Sequence, residues 1–522
     1  MNAFVRKYSD SVTGCLSGFD RLMLRGQVRA LSYVDGLRGF LAGAGILLKD
    51  FGAYAAAATE ALKTASLLTA KEQGRPVQYL ESPSVRKDRL AQEIAARDRI
   101  REGLICVLSA VEPCRSFDIN RNRQTKRLEL VVRRRKGLFL YHYLNHPRFG
   151  FMHVRLQTWL PFDVQIWING REWLGRELDR RGLGNVRKGN TFTWIENPSR
   201  AQELATAQLK INWPKHLDSL VAQVHPAHAE IFGGFAQYYY WYVYQSEWAT
   251  DIMFRDPESL SRIYPRLIRH GITQFGTTNV MRFLGKRVKA DGHIPANFQG
   301  EVTTDLRERP EGVRLKHTLT WNSLKLYDKE GSVLRVETTI NRPQDFKVFR
   351  PKEGDNYGPK DWRPMRQGIA DLHRRAQVSQ AANDRYIEAL ASIEILTPLG
   401  KLLAPIAQPA FVKGRRFRAL NPARDADVAL LAAVNRGEHA VRGFRNGDIR
   451  ACLYSEPATD AKDERRRSAR ISRLLRMLRA HGIIQKVQRT HRYMLTPPGR
   501  QLIAAVLAAR DTSVEALVEK AA

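Results

Sequence analysis

A tyrosine between two lysines, with a carboxylate on the next predicted strand, is the clearest candidate for covalent chemistry. Period-two alternation places Lys325, Tyr327 and Lys329 on one face of a strand, and Arg335 and Glu337 on one face of the next. Attack of a hydroxyl on a phosphodiester needs a nucleophile, cations that hold the phosphate and a carboxylate that binds metal. We predict Tyr327 as the nucleophile, the two lysines as phosphate ligands that also lower its pKa, and Glu337 as the metal ligand. The alternative is a core tyrosine with a satisfied hydroxyl.

Two further carboxylates lie at the end of an aromatic strand. Glu247 and Asp251 follow the run Tyr238–Tyr244 in a segment that is otherwise apolar enough to be buried, where an unpaired carboxylate is costly. Carboxylates gathered at strand ends are suitable ligands for Mg²⁺ or Mn²⁺, and such ions activate phosphodiester chemistry. We predict that Glu247, Asp251 and Glu337 hold one of these ions. The alternative is that the acids pair with some of the chain's many arginines.

These segments resemble part of a known family. The string LKLYDK-EGSV-LRVETTI is similar to the K-x-Y-D-K … L-R-x-E module of rolling-circle replication initiators from filamentous phages and small plasmids, and YQSEWATDIMFRDPESLSRIY lies where those proteins carry an acidic strand. The resemblance implies metal-assisted nicking of one DNA strand, with Tyr327 as the motif tyrosine, Glu337 as the carboxylate after the arginine, and Glu247 with Asp251 as the upstream acids.

The resemblance covers Tyr238–Phe349. The His-hydrophobe-His metal motif of the commonest initiator class is missing, and residues 1–235 carry no motif of that family. The whole chain also resembles a bacterial family associated with mobile genetic elements, which adds no mechanism.

The charge balance points to a polyanionic partner. The chain has 85 Lys and Arg against 53 Asp and Glu, a formal net charge of +32. Such an excess destabilises a compact fold by self-repulsion, and nucleic acid is the usual partner that neutralises it. An anionic membrane surface would require a basic amphipathic helix with Trp and Phe on its apolar face, and the sequence shows no convincing one. We predict DNA or structured RNA as the partner and no membrane; the alternative is a basic protein without a polyanionic partner.

Several familiar sites are absent from the sequence. It contains no P-loop, GxGxxG, HExxH or GxSxG motif, which argues against ATP-driven, dinucleotide-dependent and zinc-peptidase chemistry. The apolar run Phe40–Leu48 is about half the length that spans a bilayer, and the first residues lack a signal-peptide pattern. The four cysteines (Cys15, Cys106, Cys114 and Cys452) form no CxxC pair and are too sparse for a disulfide scaffold. We expect a soluble, cytoplasmic protein.

The C-terminal segment resembles a winged helix-turn-helix. Apolar spacing and the break at Gly482 predict helices over Val428–Arg436, Asn446–Leu453 and Glu464–Ala480, followed by a hairpin of Ile483–Val487 and Arg492–Leu495. Four arginines recur three or four apart on the third helix: Arg466, Arg470, Arg473 and Arg476. They share a face opposite Ile471, Leu475 and Leu478, which suits entry into a major groove. Basic residues of the wing would contact phosphate: Arg489, His491 and Arg492. The alternative is a solvated helix face.

Other basic and aromatic residues are weaker candidates. We predict a phosphate-binding turn, or equally a solvated loop, at Arg133, Arg134, Arg135 and Lys136. Spacing on a strand argues against a metal site made of His142, His146 and His153. We expect these histidines to pack or to touch nucleic acid, as Tyr141 and Tyr143 also would. The aromatic strand 238–244 stacks bases or belongs to the core.

The elements that position these residues predict a multidomain α+β protein. Antiparallel strands with an associated helix occur twice, over 117–181 and 237–349, which suggests a duplicated core without a clear residue-level repeat. The predicted divisions are a helical region 1–115, α+β domains 116–235 and 236–350, a linker and helix 351–424, and the winged helix 425–522. The sequence does not decide whether the partner is DNA or RNA, or which oligomeric state the protein has. It also leaves open whether the protein is an enzyme or has a purely structural function.

Overall fold

The computed structural model describes residues 3–82, 84–224, 239–286, 298, 300–309, 312–355, 357–391, 399–412, 414–435, 443–488 and 490–511. The chain divides into two compact units. The first comprises Met1–Ile268, Phe283–Gly285 and Glu301–Ala389, and the second comprises Arg269–Arg282, Lys286–Gly300 and Leu390–Ala522. Both helices and strands are abundant, so the α+β class predicted from the sequence is confirmed at this level.

An 11-stranded sheet forms the body of the first unit. Its strands are β1 (Val12–Val28), β2 (Val77–Tyr79), β3 (Gly103–Arg121), β4 (Leu128–His146), β5 (Gly150–Gln157), β6 (Val164–Asn169), β9 (Tyr239–Phe254), β10 (Val302–Arg309), β11 (Gly312–Leu319), β12 (Asn322–Lys329) and β13 (Val333–Ile340). Their spatial order is β10-β11-β12-β13-β9-β1-β6-β5-β4-β3-β2. All neighbours pair antiparallel except β2 and β3, which are parallel. The strands expected in two separate α+β domains therefore form one sheet.

The prediction that residues 1–115 are mostly helical is wrong for Val12–Val28. This segment is β1, at the centre of the sheet, where it pairs with β9 on one side and β6 on the other. Its buried residues Leu22, Leu24 and Val28 alternate with half-exposed ones, which is the period of a strand with one covered face. Pairing with strands far along the chain decides this assignment, because the local segment also carries helix-forming residues.

Helices pack on both faces of the sheet, and several of them join the main core. The helices of the first unit are α1 (Ala3–Lys7), α2 (Val34–Gly43), α3 (Phe51–Glu72), α4 (Lys87–Arg97), α5 (Gly170–Arg180), α6 (Pro198–Ala207), α7 (Trp213–Val224) and α8 (Pro257–Ser261), with α9 (Tyr264–Gln274), α10 (Thr277–Phe283) and α11 (Leu372–Ala391) at its boundaries. Alternate residues of β5 and β6 pack into the main core with them: Met152, Val154, Leu156, Val164, Ile166 and Ile168. The residues between them, including His153, Arg155 and Trp167, stay half-exposed on the opposite face.

The described strands outside the large sheet form small two-stranded hairpins. They are β7 (Asn185–Lys188) with β8 (Thr191–Ile195), β14 (Lys347–Arg350) with β15 (Asp361–Pro364), β16 (Ala410–Val412) with β17 (Arg415–Phe417), and β18 (Ile484–Lys486) with β19 (Tyr493–Leu495).

The second unit contains the predicted C-terminal elements. After α12 (Leu399–Ala407) come α13 (Asp425–Val434), α14 (Asn446–Leu453), α15 (Ala461–Ala480), the hairpin of β18 and β19, and α16 (Pro497–Asp511). The three predicted helices and the hairpin are confirmed as elements, with α15 starting three residues before its predicted N-terminus. An apolar core joins them, to which α15 contributes Ile471, Leu475 and Leu478.

Among the described residues, no single helix is both long and apolar enough to cross a bilayer. Only α2 and the helical stretch Leu48–Glu72, taken together across a bend of 102°, reach the necessary length and composition.

Candidate functional site

Three carboxylates meet on the face of the sheet formed by β13, β9 and β1. One ligand oxygen each from Asp20, Glu247 and Glu337 lies within 4.8 Å of the other two, and all three residues are buried. In the described part of the chain, this is the one group of acidic, histidine or cysteine side chains with the spacing of a metal site. The set shares Glu247 and Glu337 with the predicted metal ligands, and has Asp20 in place of Asp251.

Strand register explains why the predicted residues come together. Lys325 on β12 lies opposite Glu337 on β13, and Tyr327 lies opposite Arg335. On the other side of β13, Arg335 lies opposite Asp251 of β9. Residues opposite each other in a ladder point to the same face, so the shared face predicted from alternation on these strands is confirmed.

A β-bulge brings Asp20 into the group. Phe19 of β1 pairs with Trp248 and Arg21 pairs with Glu247, so Asp20 is an extra residue between two pairs. A bulge of this kind re-aims a side chain that strict alternation would place elsewhere. Asp20 accepts hydrogen bonds from Asn190 Nδ2 at 2.8 and 2.9 Å, and Asn190 follows Gly189, which has a left-handed φ of 55° in the β7–β8 turn.

Lys325 bridges two of the three carboxylates. Its Nζ donates to Glu337 Oε1 at 2.6 Å and to Glu247 Oε1 at 3.0 Å. Burial alone would lower the pKa of Lys325, but the charges of Glu337 and Glu247 raise it above its ordinary value. The ammonium group is therefore a partner of the acidic residues, whereas the sequence predicted a ligand of phosphate.

Tyr327 is buried beside the same carboxylates. Burial first, and then the charge of Glu337, raises the pKa of Tyr327 to about 12. The Lys329 ammonium lies 4.9 Å from the centre of the tyrosine ring. The charge of Lys325 lowers this pKa, as predicted, but desolvation and the carboxylates outweigh it, so the net pKa lies above the ordinary value of a tyrosine.

Asp251 belongs to a buried ion-pair group. Its oxygens accept hydrogen bonds from Arg335 Nε at 2.6 Å and Nη2 at 2.9 Å, and Arg171 Nη2 lies 3.1 Å from Asp251 Oδ2. Burial would raise the pKa of Asp251, but Arg171 and Arg335 hold it below its usual value. Both carboxylate oxygens are thus engaged by guanidinium groups, and the alternative of an arginine-paired acid describes Asp251 better than the predicted metal ligation.

Local structure places Arg171 under this carboxylate. Asn169, the last residue of β6, caps α5 by accepting hydrogen bonds from the backbone N–H groups of Arg171 and Glu172. A Cβ atom on Gly170 would lie 2.2 Å from the carbonyl oxygen of Phe19. Glycine at this position therefore allows the start of α5 to pack directly against β1, next to the bulge.

Sequence reasoning missed Asp20, Arg171 and Asn190. The three residues come from β1, α5 and the β7–β8 turn, which meet only in the tertiary structure. For Asp20 a partial signal existed in the alternating apolar residues Leu22, Leu24 and Val28, which mark a strand after it.

An open face of arginines and aromatic rings extends from the carboxylates across β9, β1 and β6. The Arg21 guanidinium lies 4.3 Å from the ring centre of Trp167 and its Nε lies 3.5 Å from Glu247 Oε2. The Arg25 guanidinium lies 3.7 Å from the ring centre of Tyr244, which is 42% exposed. We call Arg21, Arg25, Trp167, Tyr242 and Tyr244 the aromatic face.

The aromatic strand belongs to the core, as one of the two predictions had it, through alternate residues only. Trp241 and Val243 are buried in the main core. Tyr240 and Tyr244 are 49% and 42% exposed, and Tyr242 is half-buried between them. Tyr238 lies outside the described residues. The period of the strand therefore divides the run into a core side and a side that solvent reaches.

The three histidines do not form a metal site. His142 is fully buried, and burial lowers its pKa to about 4. His146 Nδ1 accepts hydrogen bonds from the backbone N–H groups of Arg148 and Phe149 at 3.0 and 3.3 Å. His153 stacks on Trp167 at the far end of the aromatic face, with ring centres 6.1 Å apart. Packing, the first of the two predicted roles, describes His142 and His146.

Tyr141 and Tyr143 are buried and hydrogen-bonded to carboxylates. The Tyr143 hydroxyl group donates to Asp88 Oδ1 at 2.7 Å, and the Tyr141 hydroxyl group donates to Glu112. Both rings belong to a small core beneath α4. This packing turns both side chains away from the predicted contact with nucleic acid.

The predicted turn at Arg133–Lys136 is wrong. These residues lie inside β4, a strand of 19 residues that pairs with β3 along its whole length. All four side chains are exposed, and Arg135 Nη2 and Arg133 Nε lie 2.5 and 3.5 Å from Asp118 Oδ2. Regular pairing with β3 makes Arg133, Arg134, Arg135 and Lys136 an exposed basic segment of a strand.

The arginines of α15 have the predicted arrangement. Arg466, Arg470, Arg473 and Arg476 are exposed, whereas Ile471, Leu475 and Leu478 of the same helix are buried. Arg466 Nη2 lies 2.7 Å from Asp463 Oδ1. In the β18–β19 turn His491 is exposed, Arg492 Nη1 donates to the carbonyl oxygen of Gly443 at 3.3 Å, and Arg489 lies outside the described residues.

Comparison of the chain with protein-family models, with curated proteins and with solved structures finds no match. The function of this protein is therefore inferred from the residues of its site.

Proposed function

We propose that this protein binds nucleic acid and nicks or transfers one strand in a reaction that depends on Mg²⁺ or Mn²⁺. The observation that carries the proposal is the convergence of Asp20, Glu247 and Glu337 within 4.8 Å on the sheet face that also holds Tyr327. Oxygen ligands of this kind suit a hard divalent cation. The protein would act in the cytoplasm of a bacterium that carries a mobile genetic element.

Each residue of the site has its own role in the proposed reaction. Asp20, Glu247 and Glu337 would hold the ion, which when bound supplies Lewis-acid polarisation of the phosphate. Tyr327 Oη forms the new bond to phosphorus, the phosphodiester bond to the neighbouring nucleotide breaks, and the tyrosyl proton passes to the leaving oxygen. Since burial and the charge of Glu337 raise the pKa of Tyr327 to about 12, the hydroxyl would stay protonated until a metal ion held by the three carboxylates added positive charge beside it.

The aromatic face supports a single-stranded substrate. Exposed rings stack with bases of any sequence and arginines attract the backbone. Tyr244 with Arg25 and Trp167 with Arg21 provide two such pairs, and Arg21 reaches Glu247 of the carboxylate group. A strand that lies along this face would therefore lead to the proposed metal site.

The second unit supports binding of a duplex. Helices α13, α14 and α15 followed by the β18–β19 hairpin have the element order of a winged helix-turn-helix. The exposed arginines of α15 lie opposite its core residues, as a helix that enters a major groove requires. We assign the second unit to recognition of the nucleic acid and the first unit to its chemistry.

Nicking of supercoiled DNA tests the proposal. We expect the wild-type protein with Mg²⁺ or Mn²⁺ to convert supercoiled plasmid to the open circular form. Tyr327→Phe and Glu337→Gln should each abolish this conversion, while the control Tyr264→Phe, which removes another buried hydroxyl group of the same unit, should retain it. Nicking that survives Tyr327→Phe but not Glu337→Gln would contradict the tyrosine as nucleophile.

A non-enzymatic binding protein is the second candidate. It is favoured by the hydrogen bonds that Lys325 already donates to Glu247 and Glu337, and by the raised pKa of Tyr327. In that case the protein would clamp DNA or folded RNA through the aromatic face and α15. Binding without nicking, by wild-type protein and by both variants, would decide for this candidate. Sequencing of the nucleic acid that co-purifies with the protein would distinguish DNA from RNA.

A further inference from the structure

Every carboxylate at the proposed metal site already has a cationic partner. Asp20 Oδ1 lies 3.4 Å from Arg335 Nη1, and Glu337 lies 2.6 Å from Lys325 Nζ. Glu247 contacts both Lys325 and Arg21 at 3.0 and 3.5 Å. The neighbouring Asp251 is paired with Arg335 and Arg171. A divalent ion would therefore add two positive charges to a buried group whose acids are already compensated, which is unfavourable at low dielectric.

Entry of the ion requires that one resident cation leaves. Arg335 and Arg171 are fully buried and are held by several partners each. Arg21 touches only one of the three ligands and stacks on Trp167. Lys325 bridges two of the three ligands, and its ammonium is a point charge on a flexible four-carbon chain. Because it lies between two of the ligands, it is the cation whose position overlaps most with that of the metal ion.

A buried hydroxyl group beside the carboxylates is an independent sign of a ligand. Thr339 is 3% exposed and lies opposite Glu247 in the β13–β9 pair. Within the described part of the chain, its Oγ1 has no hydrogen-bond partner. Buried polar atoms are nearly always satisfied, so a neutral oxygen without a partner on this face indicates that a further group belongs there.

We propose that Lys325 is the resident counter-ion of the metal site and that its Nζ exchanges with a divalent cation for Glu247 and Glu337. This inference rests on the metal-dependent function proposed above. An incoming phosphate group draws the ammonium away from the carboxylates, and the ion takes its place. Binding of the metal and binding of the nucleic acid are then positively coupled, and each raises the affinity for the other by the same factor.

Titration of the full-length protein with Mn²⁺, without nucleic acid, tests the exchange. Isothermal calorimetry and the loss of the free-ion EPR signal give the affinity. We expect Lys325→Met and Lys325→Gln to bind Mn²⁺ at least about tenfold more tightly than the wild-type protein. Lys329→Met is the matched control, because this lysine is on the same strand and face but lies over the Tyr327 ring. The gain should disappear in the double variant Lys325→Met, Glu337→Gln.

A second measurement compares the wild-type protein with and without a ten-nucleotide oligothymidine. Bound oligothymidine should raise the affinity of the protein for Mn²⁺, measured in a Mn²⁺ titration, at least about tenfold. Equal Mn²⁺ affinity of the wild-type protein and both Lys325 variants, or equal affinity with and without the oligonucleotide, would overturn the exchange. A gain in Mn²⁺ affinity without any nicking of DNA would refute only the proposed nicking function. Nicking without a gain in Mn²⁺ affinity would refute only the exchange.

Discussion

Arg335 and Asp251 form a bidentate ion pair in the centre of the large sheet, with Nε–Oδ1 and Nη2–Oδ2 distances of 2.6 and 2.9 Å. Both side chains are 0% exposed. Removal of one partner leaves the other charge buried without compensation, which typically destabilises a protein by about 3–5 kcal/mol.

The ion pair predicts that Asp251 has a structural role, in contrast to the proposed metal ligand Glu247. We expect Asp251→Asn to lower the free energy of unfolding by about 3–5 kcal/mol in urea titrations followed by circular dichroism, and to leave the Mn²⁺ affinity of the folded protein unchanged. Glu247→Gln should have the opposite profile, with a smaller loss of stability and loss of Mn²⁺ binding. An Asp251→Asn protein that is stable but no longer binds Mn²⁺ would restore the ligation expected from the sequence.

The buried histidine His142 predicts sensitivity to acid. Burial lowers its pKa to about 4 from the ordinary value of 6.5, so the unfolded chain binds this proton first as the pH falls. The contribution to stability is complete above pH 6.5 and is lost as the pH falls towards 4, at a rate approaching about 1.4 kcal/mol per pH unit. His142→Leu should make the free energy of unfolding less dependent on pH between 6.5 and 4.

Urea titrations at three pH values in this range measure the difference. Val154→Ala, which replaces a buried side chain opposite His142 that has no titratable group, is the control and should leave the pH dependence unchanged. The same slope in the wild-type protein and in His142→Leu would show that folding does not lower the pKa of His142.

The aromatic face predicts stacking with bases. Tyr244→Ala should weaken binding of an oligothymidine by about 1–3 kcal/mol, measured by fluorescence anisotropy at constant salt, because it removes both the exposed ring and the partner of Arg25. Trp362→Ala is the control, since this ring is 58% exposed on β15, outside the large sheet. Equal reductions in affinity for the two variants would argue against a specific role of the face.

The basic face of α15 predicts a salt-dependent contact with duplex DNA. Replacement of Arg470, Arg473 and Arg476 by glutamine should weaken binding and reduce the slope of log K against log salt by about 0.9 for each phosphate that the variant no longer neutralises. A variant with equal charge change, Arg89, Arg200 and Arg262 to glutamine, removes exposed arginines that pair with glutamates three or four residues away in the chain. This control should keep the wild-type slope; a reduction of equal size would assign the effect to net charge alone.

The sequence by itself determined the elements whose pattern is local. Alternation in Leu324–Ile340 predicts two strands, with Lys325 and Tyr327 on one face of the first and Glu337 on one face of the second, and the structure places these side chains on a shared face. The spacing of arginines and apolar residues in α15 predicts its two faces, because the helical period alone decides which residues are neighbours. The C-terminal order of helices and hairpin is predictable for the same reason.

Only the tertiary structure decided which acids lie together and what charge they carry. Asp20 joins Glu247 through a bulge and through strand pairing between residues far apart in the chain, and no local period records such pairing. Arg171 and Arg335 converge on Asp251 from a helix and a strand, which makes it a structural acid. The pKa of Tyr327 rises because burial depends on what the rest of the chain packs around it, a property that neighbours in sequence do not specify.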